Sequence, residues 1–111
     1  MTSEAVDFKS RVEKAYARIA ADIRRTPLEY SEPLSRETGA RVFVKWECDQ
    51  VTGSFKLRGA VNKLRSLSAG ERERGVASAS TGNHGLAISL ASRLEGVGLK
   101  IFLPETAAEV K

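Results

Sequence analysis

With 111 residues the chain can bury one modest core and not two, and 41% apolar with 29% charged residues is the composition of a soluble globular protein. The net charge of +4 comes from 18 basic residues scattered among 14 acidic ones, so there is no clustered basic face with stacking aromatics to bind nucleic acid. The single cysteine, Cys48, excludes an intrachain disulfide and a zinc-ligand set and reads as an idle thiol, while no run nears the roughly 20 apolar residues of a membrane helix. The default is a cytoplasmic protein without a membrane partner.

From Val6 to Ile23 the larger apolar residues Phe8, Val12, Tyr16, Ile19 and Ile23 recur at spacings of three and four, which predicts one amphipathic helix. Pro27, and the restriction it places on Thr26, end the helical region and leave Arg25-Thr26-Pro27-Leu28 extended. A short helical turn is expected at Ser35–Thr38, closed by Gly39. A strand over Arg41–Glu47 follows, with Val42, Val44 and Trp46 on one face. After Gly53, Ser54 can cap a helix that carries Leu57, Val61, Leu64 and Leu67 on its apolar side. Ser68–Gly75 breaks that pattern, and Glu71-Arg72-Glu73-Arg74 reads as an exposed loop of mixed sign.

A small-residue strand from Val76 to Ser80, a glycine-containing turn, a helix with Leu86, Leu90 and Leu94 in register, a stop at Gly96 and a strand from Leu99 to Leu103 make a βαβ unit. Its strands are expected to be parallel, with the Ser80–Asn83 turn at the carboxyl end of the first, where open α/β sheets bind ligands. Pro104 and the residues to Lys111 look like the opening of another helix, so the chain is expected to be a truncated piece of a larger sheet.

Three places offer chemistry. Ser80, Thr81, Gly82 and Asn83 would set backbone N–H groups at a helix start, which suits a carboxylate or phosphate but equally a tight hydroxyl-capped turn. His84, the only histidine, fits an acid, a base or a positioning side chain, and nothing in the spacing joins it to Cys48. Lys56 stands at a helix amino terminus, which disfavours its ammonium form; in a partly dry site beside Phe55 it could condense with an aldehyde cofactor. As one lysine among seven it could also be a surface charge. No GxxxxGK[ST] sequence is present, so a nucleotide loop is not supported.

Taken in order, Arg25-Thr26-Pro27-Leu28, Gly53-Ser54-Phe55-Lys56-Leu57-Arg58-Gly59-Ala60 and Ser80-Thr81-Gly82-Asn83-His84-Gly85 resemble the motifs of fold-type II pyridoxal phosphate enzymes, in particular the threonine/serine dehydratase and serine racemase group. The resemblance implies an α/β fold, a fragment with an open parallel sheet flanked by helices. It assigns residues 1–48 to the amino-terminal segment of the larger cofactor domain and 49–111 to the beginning of the smaller one. It implies pyridoxal 5'-phosphate as cofactor, Lys56 as Schiff-base lysine and base at the substrate Cα, and Phe55 against the cofactor ring. Asn83 would bond the cofactor's 3-hydroxyl oxygen, and Ser80, Thr81, Gly82, Asn83 and His84 would frame the substrate carboxylate. No metal ligand is implied among these residues.

By the same resemblance, a hydroxyamino acid such as L-threonine or L-serine loses water, and hydrolysis of the enamine gives a 2-oxo acid and ammonia. Thr81 departs from the alanine common in these dehydratases and from the serine of serine racemase. It keeps a hydroxyl, so an amino acid racemase is the alternative, and a noncatalytic α/β binding module is a third reading. The resemblance further implies a homo-oligomer at full length, and no turnover from residues 1–111 alone, since the family's phosphate loop lies beyond Lys111.

Overall fold

The computed structural model describes residues 7–107. α1 (Phe8–Ile19) is capped by Asp7, whose carboxylate accepts from the Ser10 N–H at 3.1 Å, and tightens into a 3-10 turn at Ala20–Asp22. The helix read from the period is there, but its apolar stripe is not covered: Phe8, Val12 and Tyr16 are 70%, 65% and 48% exposed and Ile19 alone is buried.

After the extended Arg24–Pro27 segment, β1 (Leu28–Tyr30) pairs antiparallel with β2 (Phe43–Lys45), Leu28 facing Lys45 and Tyr30 facing Phe43. Between them α2 (Glu32–Thr38) starts at a Ser31 cap and ends at Gly39, whose φ of +71° is the left-handed conformation that favours glycine. The strand expected over Arg41–Glu47 is thus shorter than read. Glu47 instead opens a 3-10 turn, Glu47–Asp49, because its carboxylate is drawn out of the strand direction by Arg58 and Thr26.

α3 (Lys56–Arg65), α4 (Ala69–Arg74), β3 (Val76–Ala79), α5 (Asn83–Glu95) and β4 (Leu99–Phe102) make the rest. β3 and β4 are parallel, with Val76 opposite Leu99 and Ala79 opposite Phe102, as the βαβ reading requires. The core lies between the helices: Leu57, Ala60, Val61 and Leu64 of α3 meet Ala87, Ile88 and Ala91 of α5, with Ile19 beside them.

Two expectations are corrected. Ser68–Gly75 is not a loop, because Ser68 and Glu71 form a capping box that nucleates α4: the Ser68 hydroxyl accepts from the Glu71 N–H, and the Glu71 carboxylate accepts from the Ser68 N–H. The leucines in register on α5 are only in part its buried side: Leu90 packs against the core. Leu86 and Leu94 are each 46% exposed, whereas the small residues Ala87 and Ala91 let α3 come close. Of the helix expected after Pro104, residues 108–111 lie outside the described part; Glu105 and Thr106 form a turn in which the Ala107 N–H donates to the Pro104 carbonyl at 3.0 Å.

α3 and α5 run in the same direction. Arg65, the last residue of α3, donates from Nε to Oε1 of Glu95, the last residue of α5, at 2.7 Å, and the two helices share the core along their lengths. Their amino termini therefore lie at the same end of the layer, which brings Lys56 and Asn83 to one side of the molecule.

Candidate active site

Lys56 begins α3. The turn before it passes through Gly53 at φ +74°, and the buried Ser54 accepts the Lys56 backbone N–H on its hydroxyl at 3.4 Å, one position ahead of the Phe55 cap. Phe55 and Lys56 are both exposed, and the ammonium nitrogen sits 5.0 Å from the Phe55 ring centroid. The dry surroundings expected for Lys56 are thus not supplied by the described residues. Its Nζ forms no hydrogen bond with any of them, so the start of the helix alone sets where the amine stands.

At the other helix start, four N–H groups have no carbonyl within the helix to bond. The Ser80 hydroxyl oxygen accepts two of them, from Gly82 at 3.2 Å and Gly85 at 3.1 Å. Those of Asn83 and His84 meet no acceptor among the described residues. The loop therefore combines both readings of the sequence, a hydroxyl-capped turn that leaves donors facing outward. It demands glycine at 85, where a Cβ would stand 2.9 Å from the Ser80 carbonyl oxygen. A cleft of about 140 Å³ lies against this loop, lined in part by Ser80, Thr81, Gly82, Gly85 and Ile101. Thr81, Asn83 and His84 are exposed.

The sequence reading missed a polar network behind Lys56. Arg58 holds Glu47 with both arms of its guanidinium, Nε to Oε2 at 2.8 Å and Nη2 to Oε1 at 2.7 Å, and Thr26 donates its hydroxyl to the same Oε1 at 2.6 Å. Gln50 brackets Arg24, accepting its N–H at 2.8 Å and donating to its carbonyl at 3.0 Å. Arg58 holds the Glu47 carboxyl down to about 2, against an opposing rise from burial. Eleven residues separate Glu47 from Arg58 and no helical or strand period links them; the only local signal was a threonine beside a proline, too small to bury for its own sake.

Residues 19–111 match the model of the pyridoxal-phosphate dependent enzyme family. The chain belongs to that family. Over 103 residues it is 46% identical to serine racemase of Bos taurus, covering 90% of this chain and 31% of that protein. Over 101 residues it is likewise 46% identical to the catabolic L-threonine dehydratase of Staphylococcus aureus, covering 90% of this chain and 29% of the relative. Serine racemase from Dictyostelium discoideum superposes with a TM-score of 0.83 at 38% identity, covering 91% of this chain and 33% of that structure. The chain thus spans about a third of the length of each.

The cofactor of the family is pyridoxal phosphate, and the fold is that of the fold-type II enzymes. The groups present suit it in kind: an unbonded primary amine for an aldehyde, and unpaired N–H donors at a helix start for an oxyanion. The cleft is below the roughly 300 Å³ at which small-molecule pockets begin, a size for a carboxylate rather than for a whole cofactor. No helix among the described residues is long and apolar enough to cross a membrane.

Proposed function

We propose that the chain carries the lysine and the carboxylate-binding turn of a pyridoxal phosphate-dependent dehydratase, which removes water from L-threonine, L-serine or a related hydroxyamino acid and yields a 2-oxo acid and ammonia. The observation that supports this most is the parallel alignment of α3 and α5, which puts Lys56 and the Ser80–His84 turn at one end of the same layer. Lys56 would hold the cofactor until the substrate's amino group takes its place, and the cofactor would then supply an electron sink for the pair left at the substrate Cα while the freed Lys56 amine acts as base.

The protein's share is orientation and proton transfer. Lys56 Nζ takes the Cα proton, and Phe55 offers its ring beside that amine. The Asn83 and His84 N–H groups would take the substrate carboxylate, next to the cleft that Ser80, Thr81 and Gly82 line. The Asn83 side-chain amide, at the same helix start, would donate to the cofactor's 3-hydroxyl oxygen. Holding the substrate at fixed carboxylate donors turns proton abstraction into a local step.

A second reading is favoured by Thr81, whose exposed residue lines the cleft and carries a hydroxyl that could serve as a second proton carrier in an amino acid racemase. Incubating the protein expressed from its own gene with L-serine and L-threonine separates the two. A 2-oxo acid and ammonia in equal amounts support the dehydratase, D-serine in excess of 2-oxo acid supports the racemase, and neither product from either substrate refutes both activities on L-serine and L-threonine.

A further inference from the structure

We propose that Glu47 is a positioning residue for Lys56, acting through Arg58; this rests on the reading of Lys56 as the cofactor-bearing lysine. Arg58 stands two residues beyond Lys56 in the first turn of α3, and its own N–H donates to the Phe55 carbonyl at 3.2 Å. A displacement of Arg58 therefore carries the Lys56 Cα with it. The two-armed contact fixes direction as well as distance, because the planar guanidinium and the carboxylate must stay coplanar to keep both bonds.

Glu47 is itself anchored. Its Oε1 also takes the hydroxyl of Thr26, which is 4% exposed, and the Nη2 of Arg58 lies 3.4 Å from both the Thr26 hydroxyl and the Arg24 carbonyl. Gln50, 3% exposed, clamps Arg24 from the other side. The span from Val51 to Phe55, which delivers the chain to Lys56, thus hangs between an anchor at Glu47–Gln50 and one at Arg58. Between them lie Gly53 with its positive φ and the exposed Phe55.

The Lys56 side chain forms no hydrogen bond with a described residue, so its backbone at the helix start sets where the amine stands, and this pair of anchors fixes the approach to that start. The helix itself does not depend on them: Leu57, Val61 and Leu64 are fully buried and hold α3 against α5. Loss of the Glu47–Arg58 contact should accordingly misplace Lys56 within a helix that still forms.

The test uses the protein expressed from its own gene, loaded with pyridoxal 5'-phosphate, reduced with borohydride and mapped by peptide mass spectrometry. In the unsubstituted protein the label should concentrate on Lys56; label spread evenly over the lysines would defeat the reading of Lys56 before any variant is made. In Glu47→Gln the label on Lys56 should fall about tenfold, the size of a modest misplacement of a reacting group, while the exposed Lys63 and Lys100 keep theirs. Undiminished Lys56 label in a folded Glu47→Gln protein overturns the inference. Should that variant not fold, Thr26→Val and Thr26→Ser decide: lower label in the first with wild-type label in the second supports it, and wild-type label in both overturns it.

Discussion

Acid should release the Glu47 anchor before it unfolds the core. The carboxyl is lowered from 4.5 to about 2 chiefly by the two-armed hydrogen bond from Arg58, and its side chain is 17% exposed. At about 1.4 kcal/mol for each pH unit the lowering is worth about 3 kcal/mol, or about 2 kcal/mol once water at the partly open carboxylate is allowed for. Because the folded value lies below the unfolded one, this stabilisation is complete above about pH 4.5 and disappears as pH falls through about 2.

Glu47→Gln removes the titration while keeping the shape. Unfolding free energies from urea titrations of the two proteins should differ by about 2 kcal/mol at pH 7, and less than half of that gap should remain near pH 3. Glu71 and Glu95 are also held below the usual carboxylate range by their partners, but both proteins share them and the difference cancels their effect. A gap that stays constant from pH 7 to pH 3 would refute the assignment of the stabilisation to the ionised Glu47.

Gly85→Ala places a methyl 2.9 Å from the Ser80 carbonyl oxygen and should cost about 1–3 kcal/mol, read as a lower thermal midpoint; an unchanged midpoint would mean the loop does not approach α5 this closely. Leu64→Ala should cost about 2–5 kcal/mol in urea unfolding, and Leu94→Ala, at a residue 46% exposed, much less; equal losses would contradict the buried face assigned to α5. Lys56→Ala should move stability by no more than about 0.5 kcal/mol, since the residue is exposed, yet reduce borohydride-fixed cofactor to the background carried by the other exposed lysines. Label retained at the unsubstituted level in that variant would place the cofactor on another lysine.

The elements legible in the sequence were those whose signals are local. Val76–Phe102 announced a βαβ unit through two short apolar runs around a helical period, and Leu57, Val61 and Leu64 announced the buried side of α3. Ser68 and Glu71 are equally local, but a capping box carries no apolar spacing, and the mixed charges of Glu71–Arg74 resemble a loop. The register of Leu86, Leu90 and Leu94 did not show which face of α5 is most buried, because close helix packing selects Ala87 and Ala91. The pairing of β1 with β2 and the contacts of Glu47 with Thr26 and Arg58 arise only when distant segments meet. In the site, the positions of Lys56 and the Ser80 turn followed from motif order, but their convergence required the direction of two helices.

Two helices lying side by side in the same sense also set like poles together, and the molecule treats its two poles differently. At the carboxyl pole Arg72 donates to the Leu64 carbonyl at 2.9 Å and to the Glu95 carbonyl at 3.0 Å, so a cation offsets the negative ends of both α3 and α5. At the amino pole neither helix has an acidic residue in its first turn, and the carboxylate beside the start of α3, Glu47, is already paired with Arg58. An anion that bound at that pole would meet two positive helix ends at once. Ligation and folding would then be linked, and a bound carboxylate or phosphate should raise the melting point of the scaffold that holds it.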